Sequence, residues 1–218
     1  MPGPGTSIDF VQRLKEIDLF FEGRGKQHRT MRRLVQNLDK AGIAYAIVGG
    51  MAVNAHGHER TTKDVDILLT ADGFNAFRKR FVPKSYDPVE GYPRRFWDRR
   101  HQCSFDILVT GLFPGSGKPG PISYPDPSEV SEIIQEMHVV NLSTLIQLKL
   151  AARRHGDFYD VHHLIRAHDL DEKFLKKLHP AVRQDFIECL EEKRREDEYE
   201  VRQNRMLEKK LKELERDS

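Results

Sequence analysis

Asp64 and Asp66 stand one residue apart in DVDILL, a run that otherwise reads as a core strand. Strands disfavour aspartate, and a buried carboxylate without a partner is costly, so the pair needs a physical reason. Side chains alternate along a strand, so residues two apart share a face. Val65 and Ile67 then point into the core. Asp64 and Asp66 point together the other way, their Cα atoms roughly 6.6 Å apart. Like charges at that spacing repel unless a cation lies between them; the alternative is a solvated strand end beside a turn. Asp106 lies inside a later apolar run, CSFDILVTG, with Cys103, Phe105, Ile107 and Val109 on one face and Asp106 on the other. If these strands pair, three carboxylates converge. Oxygen-only ligands suit Mg2+ or Mn2+, and two such ions about 4 Å apart can clamp a triphosphate and activate an attacking hydroxyl.

Gly49 and Gly50 follow the apolar run IAYAIV and precede MAVNAH, a short helical pattern. A glycine pair between strand and helix lets backbone N–H groups approach a ligand closely, and a helix N-terminus favours phosphate oxygens. The residues between Gly50 and Asp64 suffice for a short helix and a return. The glycine turn and the carboxylates can then meet at one edge. Arg60 and Thr62, just before the second strand, are placed to steer phosphate; Arg60 can equally pair a carboxylate. GSGKPG resembles a phosphate loop only superficially. That pattern needs glycine six residues before the lysine and Ser or Thr after it, where Leu112 and Pro119 stand. His56, His58, His162 and His163 lack metal-site spacing. The segment Arg78–Arg100 is basic and carries Tyr86, Tyr92, Phe96 and Trp97. Such a segment can grip nucleic acid by phosphate contact and stacking, or form a solvated surface loop.

These residues need elements to hold them. Ser7 can cap a first helix, IDFVQRLKEIDLFF, with Phe10, Leu14 and Ile17 at helical spacing. A second helix, from about Gln27 to Lys40, buries Met31, Leu34, Val35 and Leu38. ADGFNAFRKRF reads as an amphipathic helix, FPGSGKPGPISYPDP as a loop and MHVVNL as a short strand. Helices follow over LSTLIQLKLAARR, FYDVHHLIRAH and DEKFLKKL, and a long charged one runs from about Ala181. Leu207, Leu211 and Leu214 form a seam too short to establish a coiled coil; a solvated helix, a dimer arm or a partner-docking helix all fit it. Strands and helices alternate early and helices collect late, which means α/β or α+β with a helical C-terminal half.

The chain of 218 residues can bury a real core. Lys plus Arg number 36 against 34 Asp plus Glu, so the net charge of +2 argues against a bulk polyanion binder. Two cysteines make no disulfide framework, which fits a reduced, cytoplasmic setting. No apolar run is long enough to span a membrane. MPGPGTS lacks the apolar stretch of a signal peptide.

VGG, the spacing to DVDI and an isolated aspartate in a later strand resemble the nucleotidyltransferase superfamily typified by DNA polymerase beta. RTTKDVDILL and LSTLIQLKLAARRHGDFYDVHHLI look more narrowly like the bacterial minimal nucleotidyltransferases of the AbiEii/AbiGii toxin type. The resemblance covers roughly Leu34 to Ala167. It implies an α+β fold: a small mixed β-sheet with flanking helices and a helical C-terminal part. The expected organisation is an N-terminal helix over 1–25, a nucleotidyltransferase-like domain over 26–170 and a charged helical extension over 171–218. The implied activity is metal-dependent transfer of NMP from an NTP to an acceptor hydroxyl, on RNA or protein among other classes. Carried over, Asp64 and Asp66 hold the metals, and Asp106 completes the site as metal ligand or general base. Gly49 and Gly50 meet the β- and γ-phosphates. Many members have serine where Gly50 stands, so one hydroxyl contact is missing. Lys149 matches a lysine that meets the phosphates. Asp157 and Asp160 match an acidic pair, with Gly156 where a basic residue usually precedes the first. The alternative reading is a degenerate member that binds nucleotide or a partner without turnover; a toxin–antitoxin component is a third reading, of role rather than chemistry, and would need a neighbouring partner gene.

Overall fold

Glycine punctuation and hydrophobic patterning divide the chain into elements. The computed structural model describes residues 10–216, and the expected Ser7 cap lies outside them. Helix α1 (Phe10–Phe21) stops near Gly23, which takes a positive φ of 68°. Helix α2 (Lys26–Ala41) ends at Gly42, which is left-handed with its N–H returned to Asp39 O. Strand β1 (Tyr45–Val48) runs directly into α3 (Gly49–Ala55). Strand β2 (Val65–Leu69) leads to α4 (Ala71–Phe81), capped by Thr70, whose hydroxyl accepts from Gly73 N at 2.9 Å. Strands β3 (Asp87–Val89), β4 (Tyr92–Asp98) and β5 (Cys103–Val109) follow. After the Pro/Gly-rich loop come the single turn α5 (Pro127–Val130), β6 (Ser131–Ile134) and β7 (Met137–Val140). Helix α6 (Leu142–Ala152) is capped by Asn141, and α7 (His155–Ala167) follows at once. Two 3-10 segments over Glu172–Lys177 and Pro180–Val182 lead into α8 (Arg183–Arg216).

The strands form one mixed sheet in the order β3-β4-β5-β2-β1-β7-β6. Its centre positions the site. β1 and β2 are antiparallel, with Val48 opposite Asp66. β2 and β5 are parallel, with Asp66 opposite Asp106. Val65, Ile67 and Leu69 of β2 and Phe105 and Ile107 of β5 are fully buried, and α2 and α4 pack against these two strands. The Phe77, Tyr86, Phe96 and Phe105 rings pack edge-on or stacked there, their centroids 4.9–6.1 Å apart. The fold is α+β with a helical C-terminal part.

Several expectations need correction. The basic segment is not a loop: its second half is the β3–β4 hairpin, paired to β5 through β4. Tyr86 and Phe96 are core residues, not an exposed stacking surface. DEKFLKKL forms a 3-10 segment, not an α-helix. Leu14 and Ile17 of α1, which stand at helical spacing in the sequence, are exposed, while Phe20 carries that helix's contact with the core. The seam of Leu207, Leu211 and Leu214 lies partly outside the described side chains, and Leu207 itself is exposed.

Candidate active site

Strand alternation places Ser104, Asp106 and Leu108 of β5 on the face opposite Phe105 and Ile107. The parallel register then sets Asp66 and Asp106 side by side. Asp64, Asp66 and Asp106 line one cleft of about 310 Å3 together with Gly49, Gly50, Arg60, Thr62 and Lys149. The central strands carry Asp66 and Asp106 to this cleft, the segment before β2 brings Arg60, Thr62 and Asp64, and α6 brings Lys149. Asp64 accepts from Ser104 Oγ at 2.6 Å. Asp66 has no such partner among the described residues. Burial, and then the Asp106 and Asp64 carboxylates, push its carboxyl up to about 6, while Lys149 and Arg154 pull the other way.

Gly49 is fixed by this carboxylate. Its φ is 62°, and a Cβ there would run into Asp66 Oδ2 and lie 2.8 Å from Asp66 Cγ. Gly50 is fixed by the approach of the segment before β2: a Cβ would lie 2.7 Å from Thr62 Oγ1 and 2.8 Å from Thr62 Cβ. Thr62 therefore fills the space a serine side chain would need at position 50. Its hydroxyl donates to Asp64 O at 3.2 Å. No side chain caps α3, so the N–H groups of its first turn lack intrahelical acceptors.

Arg60 and Lys149 are engaged by carboxylates. Arg60 Nη2 donates to Asp160 Oδ2 at 2.9 Å, and its Nε lies 2.6 Å from Asp160 Oδ1. Lys149 is buried, donating to Asp160 Oδ2 at 2.6 Å and Asp157 Oδ1 at 3.1 Å. Of the two readings of Arg60, pairing with a carboxylate is the one observed, and that carboxylate is Asp160. Gly156 provides no base beside Asp157, but Arg154 Nε approaches Asp157 Oδ2 to 4.0 Å.

Sequence reasoning missed the site's other wall. The Pro/Gly-rich loop brings Pro114, Gly115 and Tyr124 to the cleft. Gly115 has φ 68°, and a Cβ on it would meet Ala152 O at 2.6 Å, so the loop seats tightly on the end of α6. Burial and the nearby Asp66 push the Tyr124 hydroxyl up to about 12. Proline and glycine density signalled a loop but not its destination. Arg95, expected on an acceptor surface, instead enters the site. It stands opposite Asp106 in the β4–β5 register. Its Nε donates to Asp106 Oδ1 at 2.9 Å and its Nη2 to Oδ2 at 2.7 Å. Nη2 also lies 3.9 Å from Asp64 Oδ2.

The donor set fits a hard divalent cation: three carboxylates, with Asp66 crowded by two neighbours of like charge. As placed, the three carboxylates do not converge on one point. Among the described residues no three His, Cys, Asp or Glu side chains are grouped closely enough to hold a metal ion. Ser104 holds Asp64, and Arg95 covers both oxygens of Asp106.

A family described as "Nucleotidyl transferase AbiEii toxin, Type IV TA system" matches residues 29–217. No curated protein matches the chain. Among solved structures, a putative nucleotidyltransferase from H. pylori is 14% identical with TM-score 0.43, covering 77% of each chain. JHP933 from Helicobacter pylori is 14% identical with TM-score 0.41, over 70% of this chain and 71% of its own. ANT(2")-Ia, solved in complex with adenylyl-2"-tobramycin, is 12% identical with TM-score 0.39, over 73% of this chain and 96% of its own.

Proposed function

Because the chain belongs to the AbiEii nucleotidyl transferase toxin family, we propose that this nucleotidyltransferase moves NMP from an NTP to an acceptor hydroxyl on RNA or protein, in the cytoplasm, with Mg2+ or Mn2+. The observation that carries this reading is the side-by-side placement of Asp66 and Asp106 at the glycine turn, with Asp64 beside them. Asp64 and Asp66 would hold the cation, with Asp106 completing the set. When bound, the cation neutralises triphosphate charge and acidifies the attacking hydroxyl. Gly49 and Gly50 offer backbone N–H groups to the β- and γ-phosphates. Thr62 supplies a hydroxyl next to Gly50 that stands in for the missing serine. Lys149 and Arg60 are held at the same wall by Asp157 and Asp160, where their donors can turn to phosphate oxygens. The acceptor oxygen attacks the α-phosphorus, the bond to the bridging oxygen breaks, pyrophosphate leaves, and the hydroxyl proton passes to Asp106.

One observation favours a second reading, a member that binds nucleotide without turnover: the Arg95 fork on Asp106. Each α-labelled NTP, incubated with Mg2+ and total RNA or protein, separates the two. Label should move to one acceptor class and stop in Asp64→Asn and Asp66→Asn. Metal-dependent NTP binding with no transfer to any acceptor would favour the second reading, and NTP affinity unchanged by EDTA would overturn the metal site.

A further inference from the structure

Arg95 is held like a ligand rather than like a surface arginine. Both of its bonds to Asp106 are short and parallel, the fork-to-fork geometry that makes guanidinium–carboxylate pairs specific. The same nitrogen reaches toward Asp64. One cation thus bridges two of the three carboxylates. The third, Asp66, stands next to Asp106 in the register. The Arg95 side chain remains about one-third exposed, so it has a way out. Its guanidinium carbon lies 5.2 Å from the ring centroid of Tyr92, which is on the same strand and exposed. An aromatic face of this kind can carry a cation at the water boundary.

We propose that Arg95 is a displaceable counter-ion which makes the carboxylate site admit a divalent cation only together with a triphosphate. This rests on the metal-dependent reading above. A free hydrated dication must break the fork on Asp106 and leaves the guanidinium with nothing but water and the Tyr92 ring. A metal–triphosphate brings both replacements. The dication takes the carboxylates, and the triphosphate oxygens take the guanidinium, which is suited to bidentate phosphate contact. Arg95 is then a substrate-contacting residue that also sets the order of binding. A merely structural fork, tying β4 to β5, would affect stability but not the discrimination between free and nucleotide-bound metal.

Mn2+ binding, measured by calorimetry and by the loss of the free-ion spin-resonance signal, tests this without any turnover. The wild-type chain should bind free Mn2+ at least tenfold more weakly than Arg95→Gln. Arg95→Lys, which keeps the charge but not the fork, should fall between them. Free Mn2+ should raise the melting temperature of Arg95→Gln more than that of wild type. With a non-hydrolysable NTP present, the wild type should bind Mn2+ well and Arg95→Gln should lose triphosphate affinity. Circular dichroism confirms folding; if Arg95→Gln does not fold, Arg95→Lys alone carries the comparison. Equal free-Mn2+ affinity in wild type and variants, with Mn2+–NTP binding still lost in Asp66→Asn, would overturn the counter-ion role and leave the proposed site standing. Absence of Mn2+–NTP binding in every protein would instead overturn the site.

Discussion

At the scale of single residues, Asp66 and Asp106 were legible because alternation in an apolar strand exposes any charge that breaks it. Arg95 was not legible, since its place depends on the register of a hairpin and not on its neighbours in sequence. Asp66 yields a pH prediction. Its carboxyl sits at about 6 against an ordinary 3.8, so the folded state resists its ionisation and the unfolded state does not. In chelator, Asp66 destabilises the fold above about pH 6, and this penalty vanishes below about pH 4. A shift of about two units corresponds to roughly 3 kcal/mol at most, and partial exposure reduces it to about 1–2 kcal/mol. Asp66→Asn should therefore be more stable than wild type by that amount at pH 7.5 in urea unfolding, with the difference closing toward pH 4. A less stable variant at pH 7.5 would make Asp66 a structural residue. Gly50 yields a second test. Gly50→Ser should cost about 1–3 kcal/mol through overpacking against Thr62, and Thr62→Gly, which removes both the hydroxyl and the Cβ that crowd position 50, should recover much of it in the double variant. Additive losses would show that Thr62 does not fill that space.

At the scale of elements, the central strands, α2, α3, α4, α6 and α7 were readable from periodicity and glycine stops. The β3–β4 hairpin was not. YPRRFWD carries a proline and three charges, and only Phe96 and Asp98 of β4 are buried. Asp98 is buried because it accepts from Thr30, Arg33 and His101 and from Arg100 N. An aspartate so satisfied looks, in sequence, like loop polarity. The same holds for Lys149, which resembles a solvated helix lysine until Asp157 and Asp160 close on it. This cluster joins α6 to α7 and, through Arg60, to the segment before β2. Lys149→Met removes one of the two cations on Asp160, leaving Arg60 in place, and takes the lysine from half-buried Asp157. It should destabilise by about 2–3 kcal/mol, read as a fall in the urea midpoint. The Lys149→Met, Asp160→Leu pair should be markedly less harmful than the sum. Equal losses in the single variant and in an exposed control such as Lys173→Met would show that the cluster holds nothing together.

At the scale of the whole molecule, sequence pattern and family resemblance together gave the class of fold, and they indicated that a charged helix ends the chain. They did not show how far that helix is anchored. Among the described residues the anchoring is confined to its first half. Phe186 and Leu190 are buried against the core, and Arg153 pairs Asp185. Glu196 accepts from Arg166 at 3.0 Å and lies 2.8 Å from His162 Nε2. Beyond it, Tyr199, Val201, Met206 and Leu207 are exposed. A helix segment without tertiary contacts contributes little to global stability. Ending the chain after Glu200 should thus leave the melting temperature within about 2 °C of the full chain and leave NTP binding intact. Ending it after Arg195 also removes Glu196 and strips His162 and Arg166 of their acceptor. That should cost about 1 kcal/mol more, seen as a further drop of several degrees. If the first truncation already destabilises as much as the second, the distal half of the helix is held by contacts with something other than this chain's own core. A second copy is the simplest candidate, and sedimentation of the full chain against the Glu200 truncation would then show a change in mass.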